Sequence, residues 1–178
     1  MPVSVNDAQA LSALISENLE HLGAYMPKVV KLHTVESARD HLHFVTESNG
    51  AGELLEWHLM NGDVLCGAIR LNHIEADSHK ASVGYYIGAQ YQGAGLATMA
   101  VRAVLGFAFE RLAFNRIELR CASHNAASAR IAERLGFSWE GLLREAELIG
   151  HTYVDHFVYS LLRSEYEEHS AASAQNAA

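Results

Sequence analysis

The segment that decides the fold reads Ala89-Gln90-Tyr91-Gln92-Gly93-Ala94-Gly95-Leu96-Ala97-Thr98. It follows Ala81–Ile87, an apolar run typical of a strand, and it opens a stretch whose apolar residues recur at helical spacing. Glycines and small residues at a helix start leave backbone N–H groups bare, and such a start binds anions, usually phosphate. The sequence therefore predicts a phosphate-binding turn between a strand and a helix.

Length and composition indicate one globular unit. The chain has 178 residues, enough to bury a sizeable core. We expect a single domain over 1–168, followed by an Ala- and Ser-rich tail, 169–178, that is disordered. No apolar run reaches the roughly 20 residues that a membrane span needs, so no membrane association is expected.

Charge and cysteine content narrow the class of protein further. The net charge of −8 argues against a nucleic-acid surface and mildly favours a cationic substrate or a basic partner, although solubility alone explains it equally well. The start of the chain lacks the features of a secretory signal, and the two cysteines form no disulfide framework. A cytoplasmic location follows as an expectation. The eleven histidines are scattered, so no metal site is expected.

The pattern along the chain predicts an α/β (α+β) fold with a mixed, mostly antiparallel sheet. Asn61-Gly62-Asp63 favours a tight hairpin, and the helix that follows the phosphate turn makes strands 81–87 and 116–122 parallel. The predicted elements are a strand remnant at 2–5, helices over 7–20, 35–47, 96–108 and 126–135, and strands over 53–60, 64–71, 81–87, 116–122, 137–141 and 153–162. Residues 21–31 are predicted to continue the first helix irregularly or to form a second short helix.

The turn from Gly93 to Thr98 also fits a loose dinucleotide-binding fingerprint, with Glu118 as the acid downstream. Four residues, 89–92, separate the strand from the first glycine, whereas that fingerprint has a tight turn. Antiparallel hairpins also flank the crossover. Both features disfavour a dinucleotide oxidoreductase.

A second set of motifs supports a different ligand. Asn125 and Ser128 have N-x-x-S spacing at a helix start, and Leu135-Gly136-Phe137 with Glu140-Gly141 follows that helix. With the Q-x-x-G-x-A turn at Gln92–Ala97, these residues resemble the GNAT superfamily of acetyl-CoA N-acyltransferases, closest in its RimJ/RimL branch. Further matches to the branch, and within it to the RimL group, are Val83-Gly84-Tyr85, Arg116-Ile117-Glu118, Cys121, Ala146-Glu147-Leu148, Tyr153-x-Asp155 and Tyr159-Ser160.

The resemblance implies acetyl-CoA as cosubstrate and a central parallel strand pair that splays to admit it, with helices on both faces of the sheet. A backbone N–H near Tyr86 or Ile87 would bind the acetyl carbonyl, and Asn125 would bind the pantetheine or order water. The pyrophosphate would lie on the backbone N–H groups of Gln92, Gly93, Ala94, Gly95, Leu96, Ala97 and Thr98.

The resemblance also implies the catalytic groups. Many members carry a tyrosine acid seven residues after the helix asparagine, but this chain has Ala132 there. The RimL pattern instead implies Ser128 as the acid that protonates the thiolate. For the base we expect Glu147, with Glu56 as the alternate because apolar neighbours surround it in its strand.

The resemblance therefore implies direct acetyl transfer to an amine, with the N-terminal α-amine of a ribosomal protein as the expected acceptor. A small amine, such as a polyamine or an aminoglycoside, is the alternative within the same fold. A non-catalytic acyl-CoA-binding module is the alternative of another class, and it would lack the acid and the base. The family also allows a homodimer.

Overall fold

A six-stranded mixed sheet forms the centre of the molecule. The computed structural model describes residues 1–175, with side chains as far as residue 172. The strands lie in the order β1-β2-β3-β4-β6-β5, and among the described residues β3 and β4 form the single parallel pair, as predicted. The strands are β1 (Leu55–Asn61), β2 (Val64–Glu75), β3 (Lys80–Ile87), β4 (Arg116–Ala122), β5 (Ser138–Ile149) and β6 (Thr152–Leu162).

Helices cover both faces of this sheet and enclose a core on each. On one face, Val101 and Leu105 of α4 and Ala132 of α5 pack against Leu71 and Leu119 of the sheet. On the other face, α1 and α3 pack against β2 and β3 through residues that include Leu11, Leu42 and Ala68. The helices are α1 (Ala8–Ser16), α2 (Leu19–Gly23), α3 (Val35–Ala51), α4 (Leu96–Gly106), α5 (Ala126–Arg134) and α6 (Arg163–Gln175).

Local sequence signals placed several elements correctly. Strand β4 has the predicted bounds, and the hairpin at Asn61-Gly62-Asp63 joins β1 to β2 with Gly62 at φ +61°. A positive φ of this kind is readily available to glycine, which explains its use in such turns. β2, β5 and β6 are longer than their predicted lengths, since pairing continues beyond the apolar runs.

The first predicted helix, over 7–20, was wrong as a continuous element. It divides into α1 and α2 at Asn18, which is buried. Its amide Nδ2 donates to the Leu14 carbonyl at 2.8 Å, and its Oδ1 accepts from the backbone N–H of Ala89 at 2.7 Å. A side chain that bonds backbone groups in this way competes with helix continuation and here ties the first helix to the phosphate turn.

Other boundaries also differ from the predictions, and α4 ends at Gly106, where a π-helical turn, Phe107–Arg111, follows it. The strand expected at 2–5 is a lone bridge between Pro2 and Trp57, followed by a 3-10 turn, Val5–Asp7. Helix α3 continues past the predicted end at 47 to Ala51, with Gly52 as its cap at φ +74°, and the Asn49 Oδ1 accepts from the backbone N–H of Glu56 in β1 at 3.0 Å. In the tail expected over 169–178, residues 169–175 lie in α6 and residues 176–178 lie outside the described part, so the expectation of disorder stays a prediction.

No helix in residues 1–175 is both long enough and apolar enough to cross a membrane. Across the same residues, no group of three or more His, Cys, Asp or Glu side chains is arranged to hold a metal ion.

Candidate functional site

The site lies where β3 and β4 separate. The two strands are in register from Lys80 with Arg116 to Val83 with Leu119, and beyond this point no further pairs form among the described residues. We call the space between residues 84–87 of β3 and residues 120–122 of β4 the gap. A cleft of about 1180 Å³ opens at the gap, lined by these strand ends, by the starts of α4 and α5, and by segments of the α2–α3 connection and β5. The splayed parallel pair that the resemblance implies is therefore present.

The phosphate turn forms one wall of the cleft. Gly93 and Gly95 have φ values of +79° and +76°, a region that costs other residues free energy, and Gly95 precedes the first residue of α4. A Cβ on either glycine would have no atom within 4 Å, so backbone conformation and not crowding requires glycine in this structure. The predicted residues Gln92, Gly93, Gly95, Leu96, Ala97 and Thr98 all line the cleft, whereas Ala94 lies in the turn outside the lining.

Two arginines from α5 lie on the same side as this turn. Arg130 and Arg134 line the cleft, and Arg134 Nη1 donates to Thr98 Oγ1 at 3.3 Å. Guanidinium groups beside a helix start add positive charge to the partial charge of the helix dipole. This wall is therefore suited to a molecule that carries several phosphate oxygens.

The start of α5 forms the second wall. Asn125 Oδ1 accepts from the Ser128 N–H at 3.1 Å, so Asn125 caps the helix, and it lines the cleft with Ser128. The Tyr85 hydroxyl lies 2.9 Å from Ser128 Oγ, which fixes the orientation of the serine. Burial raises the pKa of Tyr85 to about 12, so its hydroxyl keeps its proton at neutral pH.

Strand β5 brings a carboxylate to the cleft. Register is lost between Leu143 and Glu147, where β5 has more residues than β6, and Glu145 adopts a φ of +51° within this bulge. The bulge is held by the Glu145 N–H, which donates to Asp155 Oδ1 at 2.8 Å. It places Glu147 Oε2 3.3 Å from His156 Nε2, and both residues line the cleft.

Glu56, the alternate base, does not line the cleft. Its side chain is 2% exposed and lies behind Arg70, whose Nη1 is 3.8 Å from the carboxylate. His41 Nε2 lies 3.3 Å from the same carboxylate. Glu56 is therefore separated from an acceptor by its burial and its partners. Among the described residues, Glu147 is the carboxylate that faces the cleft.

Tyr86 and Ile87 are buried at the end of β3 and line the cleft. They lie against β2 at Gly67, where a Cβ would come within 2.2 Å of the Tyr86 carbonyl oxygen. Such close backbone approach requires glycine at position 67. The contact holds Tyr86 and Ile87 in place, and these are the residues that the resemblance implies for binding the acetyl group.

Helix α2 and the connection that follows it contact both walls of the cleft. His21 Nε2 lies 3.1 Å from Gln92 Nε2 in the phosphate turn, and the Tyr25 ring stacks on His124, with 5.3 Å between the ring centroids. These residues and Tyr85 and His156 were missed as site residues by sequence reasoning. Tyr85 had a signal, since it belongs to the quoted Val83-Gly84-Tyr85 motif, whereas the others meet only through the tertiary fold.

The family expected from the motifs is confirmed by comparison with known proteins. Residues 1–138 match the model of the acetyltransferase (GNAT) domain. The chain is 31% identical over 166 residues to the Bacillus subtilis protein named "Putative ribosomal N-acetyltransferase YdaF", with 90% of this chain and 88% of that protein covered.

Two further comparisons agree in sequence and in fold. The ribosomal-protein-serine acetyltransferase of Escherichia coli strain K12 is 32% identical over 98 residues, which is 55% of each chain. The solved structure of RimL, the ribosomal L7/L12 alpha-N-protein acetyltransferase in complex with coenzyme A, superposes with a TM-score of 0.87. Its identity is 22%, and the match covers 91% of this chain and 92% of that one, so it supports the fold alone.

Proposed function

We propose that this chain, which belongs to the GNAT acetyltransferase family, transfers an acetyl group directly from acetyl-CoA to the N-terminal α-amine of a protein. As a member it is an acetyl-CoA-dependent N-acetyltransferase, related to ribosomal protein acetyltransferases. One observation supports the proposed reaction most directly. The phosphate turn, Ser128 and Glu147 all line one cleft at the gap between β3 and β4.

The phosphate wall binds the cosubstrate in this proposal. Backbone N–H groups of Gln92–Thr98 bind the pyrophosphate, and Arg130 and Arg134 add charge beside them. The pantetheine then runs through the gap past Asn125, so that the thioester reaches Tyr86 and Ile87. A backbone N–H at this point of β3 polarises the acetyl carbonyl and stabilises the oxyanion that forms on attack.

Glu147 acts as the base, directly or through a water molecule. The attacking amine must be neutral because an ammonium has no lone pair, and an N-terminal α-amine, with a pKa of about 7.7–8.0, needs only mild help. The carboxylate of Glu147 takes the proton from the amine nitrogen. His156 Nε2 lies 3.3 Å from Glu147 Oε2 and is the nearest titratable side chain that the structure gives for this carboxylate.

Ser128 acts as the acid at the leaving sulfur. As the carbon–sulfur bond breaks, its hydroxyl gives a proton to the CoA thiolate, and the serine oxygen takes up a proton from solvent before the next turnover. The Tyr85 hydroxyl lies 2.9 Å from Ser128 Oγ and keeps its proton at neutral pH. When Ser128 donates to the sulfur, Tyr85 is the partner that donates to the serine oxygen in this proposal. Because the amine attacks the thioester directly, no nucleophilic side chain is needed.

The names of two relatives support a ribosomal protein as the acceptor, since both refer to ribosomal substrates. The test is incubation of the protein with acetyl-CoA and ribosomal-protein N-terminal peptides, followed by product mass and thiol release. We expect one acetyl group on the α-amine, and none on the same peptide with its N-terminus already blocked.

Two outcomes would contradict the proposed acceptor. Acetylation of lysine side chains, or of small amines but of no peptide, would assign another acceptor class. Stabilisation by acetyl-CoA without thiol release over the whole panel of amines would instead support the non-catalytic acyl-CoA-binding module.

A further inference from the structure

We propose that the acceptor side of the cleft is an anion-binding subsite, so that the preferred amine carries a carboxylate close to its amino group. For a protein acceptor, this means Asp or Glu within the first residues after the N-terminus. The inference rests on the proposed function, because it concerns the second substrate of the same site.

The charges of the chain are distributed unevenly between the cleft and the remaining surface. The chain has 13 Lys and Arg residues against 21 Asp and Glu residues, yet among the described residues that line the cleft Glu147 is the one acidic residue. Six of the basic residues line it: Lys28, Lys31, Arg70, Arg120, Arg130 and Arg134. An acidic protein therefore places a basic cleft at its reactive centre.

These basic residues fall into two groups, on opposite faces of the sheet. Arg130 and Arg134 extend from α5 beside the phosphate turn, where they face the phosphates of the donor. Leu119 and Cys121 belong to the core under α4 and α5, so the alternation of a strand directs Arg120 to the other face. Arg70, between Ile69 and Leu71 of the same core, is directed to that other face as well.

The two strand arginines keep donors for a ligand. Arg120 uses Nε and Nη2 to bind Glu118 Oε2, at 3.1 and 2.8 Å, and its side chain remains 51% exposed. Arg70 has Nη1 3.8 Å from the buried carboxylate of Glu56 and remains 31% exposed. A guanidinium has five N–H donors, so each arginine has further N–H groups with which to bind a carboxylate.

Three more basic residues border the acceptor side of the cleft: Lys28, Lys31 and His73. Lys28 and Lys31 lie on the connection between α2 and α3, and both are exposed and line the cleft. The third lysine of the chain, Lys80, lies outside this cleft and pairs with Glu75. His73 lines the cleft from an irregular part of β2 and has a φ of +48°, an uncommon conformation that re-aims a side chain.

This distribution differs from the expectation drawn from the net charge. A charge of −8 mildly favoured a cationic substrate, but the groups that face the acceptor are mainly positive. A polyamine or an aminoglycoside would bring further positive charge next to Lys28, Lys31, Arg70 and Arg120. The subsite therefore selects against polycationic acceptors and in favour of an amine with a nearby anion.

The experiment measures kcat/KM for acceptors that differ only in charge. Peptides share one N-terminal residue and carry Asp, Asn or Lys at the following positions, and small amines are tested in matched forms with and without a carboxylate. We expect the acidic member of each set to exceed the neutral member by about 10-fold at low ionic strength. The preference should shrink as salt rises from about 0.05 to about 0.5 M.

Variants assign the preference to the subsite. Arg120→Gln and the double change of Lys28→Gln with Lys31→Gln should each reduce the acidic-over-neutral ratio by about 3- to 10-fold, through KM and with kcat retained. Arg39→Gln is the matched control. It removes one positive charge from the exposed surface of α3, outside the cleft, and should leave the ratio unchanged.

The outcomes separate this inference from the proposed function. Efficient acetylation with equal kcat/KM for acidic and neutral members, or with a preference for lysine, would overturn the subsite and leave the transferase intact. A preference for acidic acceptors that survives all the cleft variants would also overturn it. Selective acetylation of anionic small amines, with no peptide accepted, would support the subsite and refute the protein acceptor. Absence of transfer to every amine would refute both.

Discussion

The pair formed by Tyr85 and Ser128 joins a strand to a helix across the cleft, and it is the contact that orients the proposed acid. Removing the serine hydroxyl by Ser128→Ala should lower kcat by roughly 10- to 10⁴-fold while acetyl-CoA still binds. Tyr85→Phe should lower kcat by about 2- to 10-fold, since it removes one hydrogen bond to the serine oxygen. Steady-state kinetics and calorimetric binding of acetyl-CoA check both effects.

Tyr166→Phe is the matched control for the tyrosine change. Tyr166 lies in the first turn of α6 and its hydroxyl donates to Glu110 Oε1 at 2.6 Å, and neither residue lines the cleft, so kcat should be unaffected. If Ser128→Ala turned over at the wild-type rate, the sulfur would have to take its proton from another donor.

Glu147, which lies beside His156, is the second residue whose role can be tested by a single substitution. Glu147→Gln keeps the size of the side chain but removes the base, so kcat should fall by roughly 10- to 10⁴-fold. A higher pH should recover part of the loss, because more of the acceptor amine is then neutral without a base. The pH profile of kcat/KM is the measurement.

Glu47→Gln, an exposed change on α3, is the control for this prediction and should behave as wild type. Identical pH profiles for wild type and Glu147→Gln would show that this carboxylate takes no proton from the amine.

At the scale of the elements, those helices and strands that depend on a few neighbouring residues were predicted correctly. Alternating burial in β4 and the Asn61-Gly62-Asp63 turn are local signals, and both elements form as expected. The split of the first helix was not predictable in this way, because Asn18 binds Ala89, 71 residues further along the chain. The crossover between β3 and β4 was predictable, because the phosphate turn is itself a local signal for the start of a helix.

The same distinction applies to the site. The turn Gln92–Thr98 and the N-x-x-S motif from Asn125 to Ser128 are short local motifs, and apart from Ala94 their named residues line one cleft. The pairing of Glu147 with His156 depends on a bulge in β5, whose extra residues are not visible in the sequence. Glu56, the alternate base, lies in β1 beside Arg70 and His41 and does not line the cleft, and its apolar sequence neighbours give no sign of this position.

The close contact between β2 and β3 allows a test at this scale. In Gly67→Ala the added Cβ would meet the Tyr86 carbonyl oxygen at 2.2 Å, which is backbone and cannot rotate away. We expect a loss of about 1–3 kcal/mol in the free energy of unfolding, measured by denaturant titration. Acetyl-CoA affinity should also weaken, since Tyr86 and Ile87 must shift.

Gly50→Ala is the matched control. Gly50 lies within α3, where an added Cβ has no atom within 4 Å. Alanine favours helix there, so the variant should gain about 0.5–1 kcal/mol. Equal stability of both variants would mean that β2 and β3 adjust freely at Gly67.

For the molecule as a whole, the buried His58 makes stability depend on pH. Burial lowers its pKa below the ordinary value of 6.5, although Asp7 and Glu56 oppose this shift. Its side chain is 0% exposed, with Nδ1 3.0 Å from Asp7 Oδ2. The folded state therefore holds His58 neutral, whereas the unfolded chain takes up a proton as the pH falls through 6.5.

The stability from this group is fully present above pH 6.5 and is lost as the pH falls through the lower folded-state pKa. We expect the free energy of unfolding to decrease between about pH 7.5 and about pH 5.5, with a smaller slope in His58→Asn. His43→Asn, an exposed change, should keep the wild-type slope. Equal slopes for His58→Asn and the wild type would assign the pH dependence to other groups.

The short pairing of β3 with β4 has a consequence for motion. Four registered positions connect a half-sheet of β1, β2 and β3 to one of β4, β5 and β6, whereas each antiparallel neighbour pair has more. The β3–β4 pairing has the fewest registered positions in the described sheet, and we call it the seam. The two half-sheets should therefore move relative to each other at this seam. Among the strands, amide hydrogen exchange should be fastest along 84–87 and 120–122. Acetyl-CoA bound across the seam should slow this exchange. The two half-sheets would then form a single cooperative unit only while acetyl-CoA is bound.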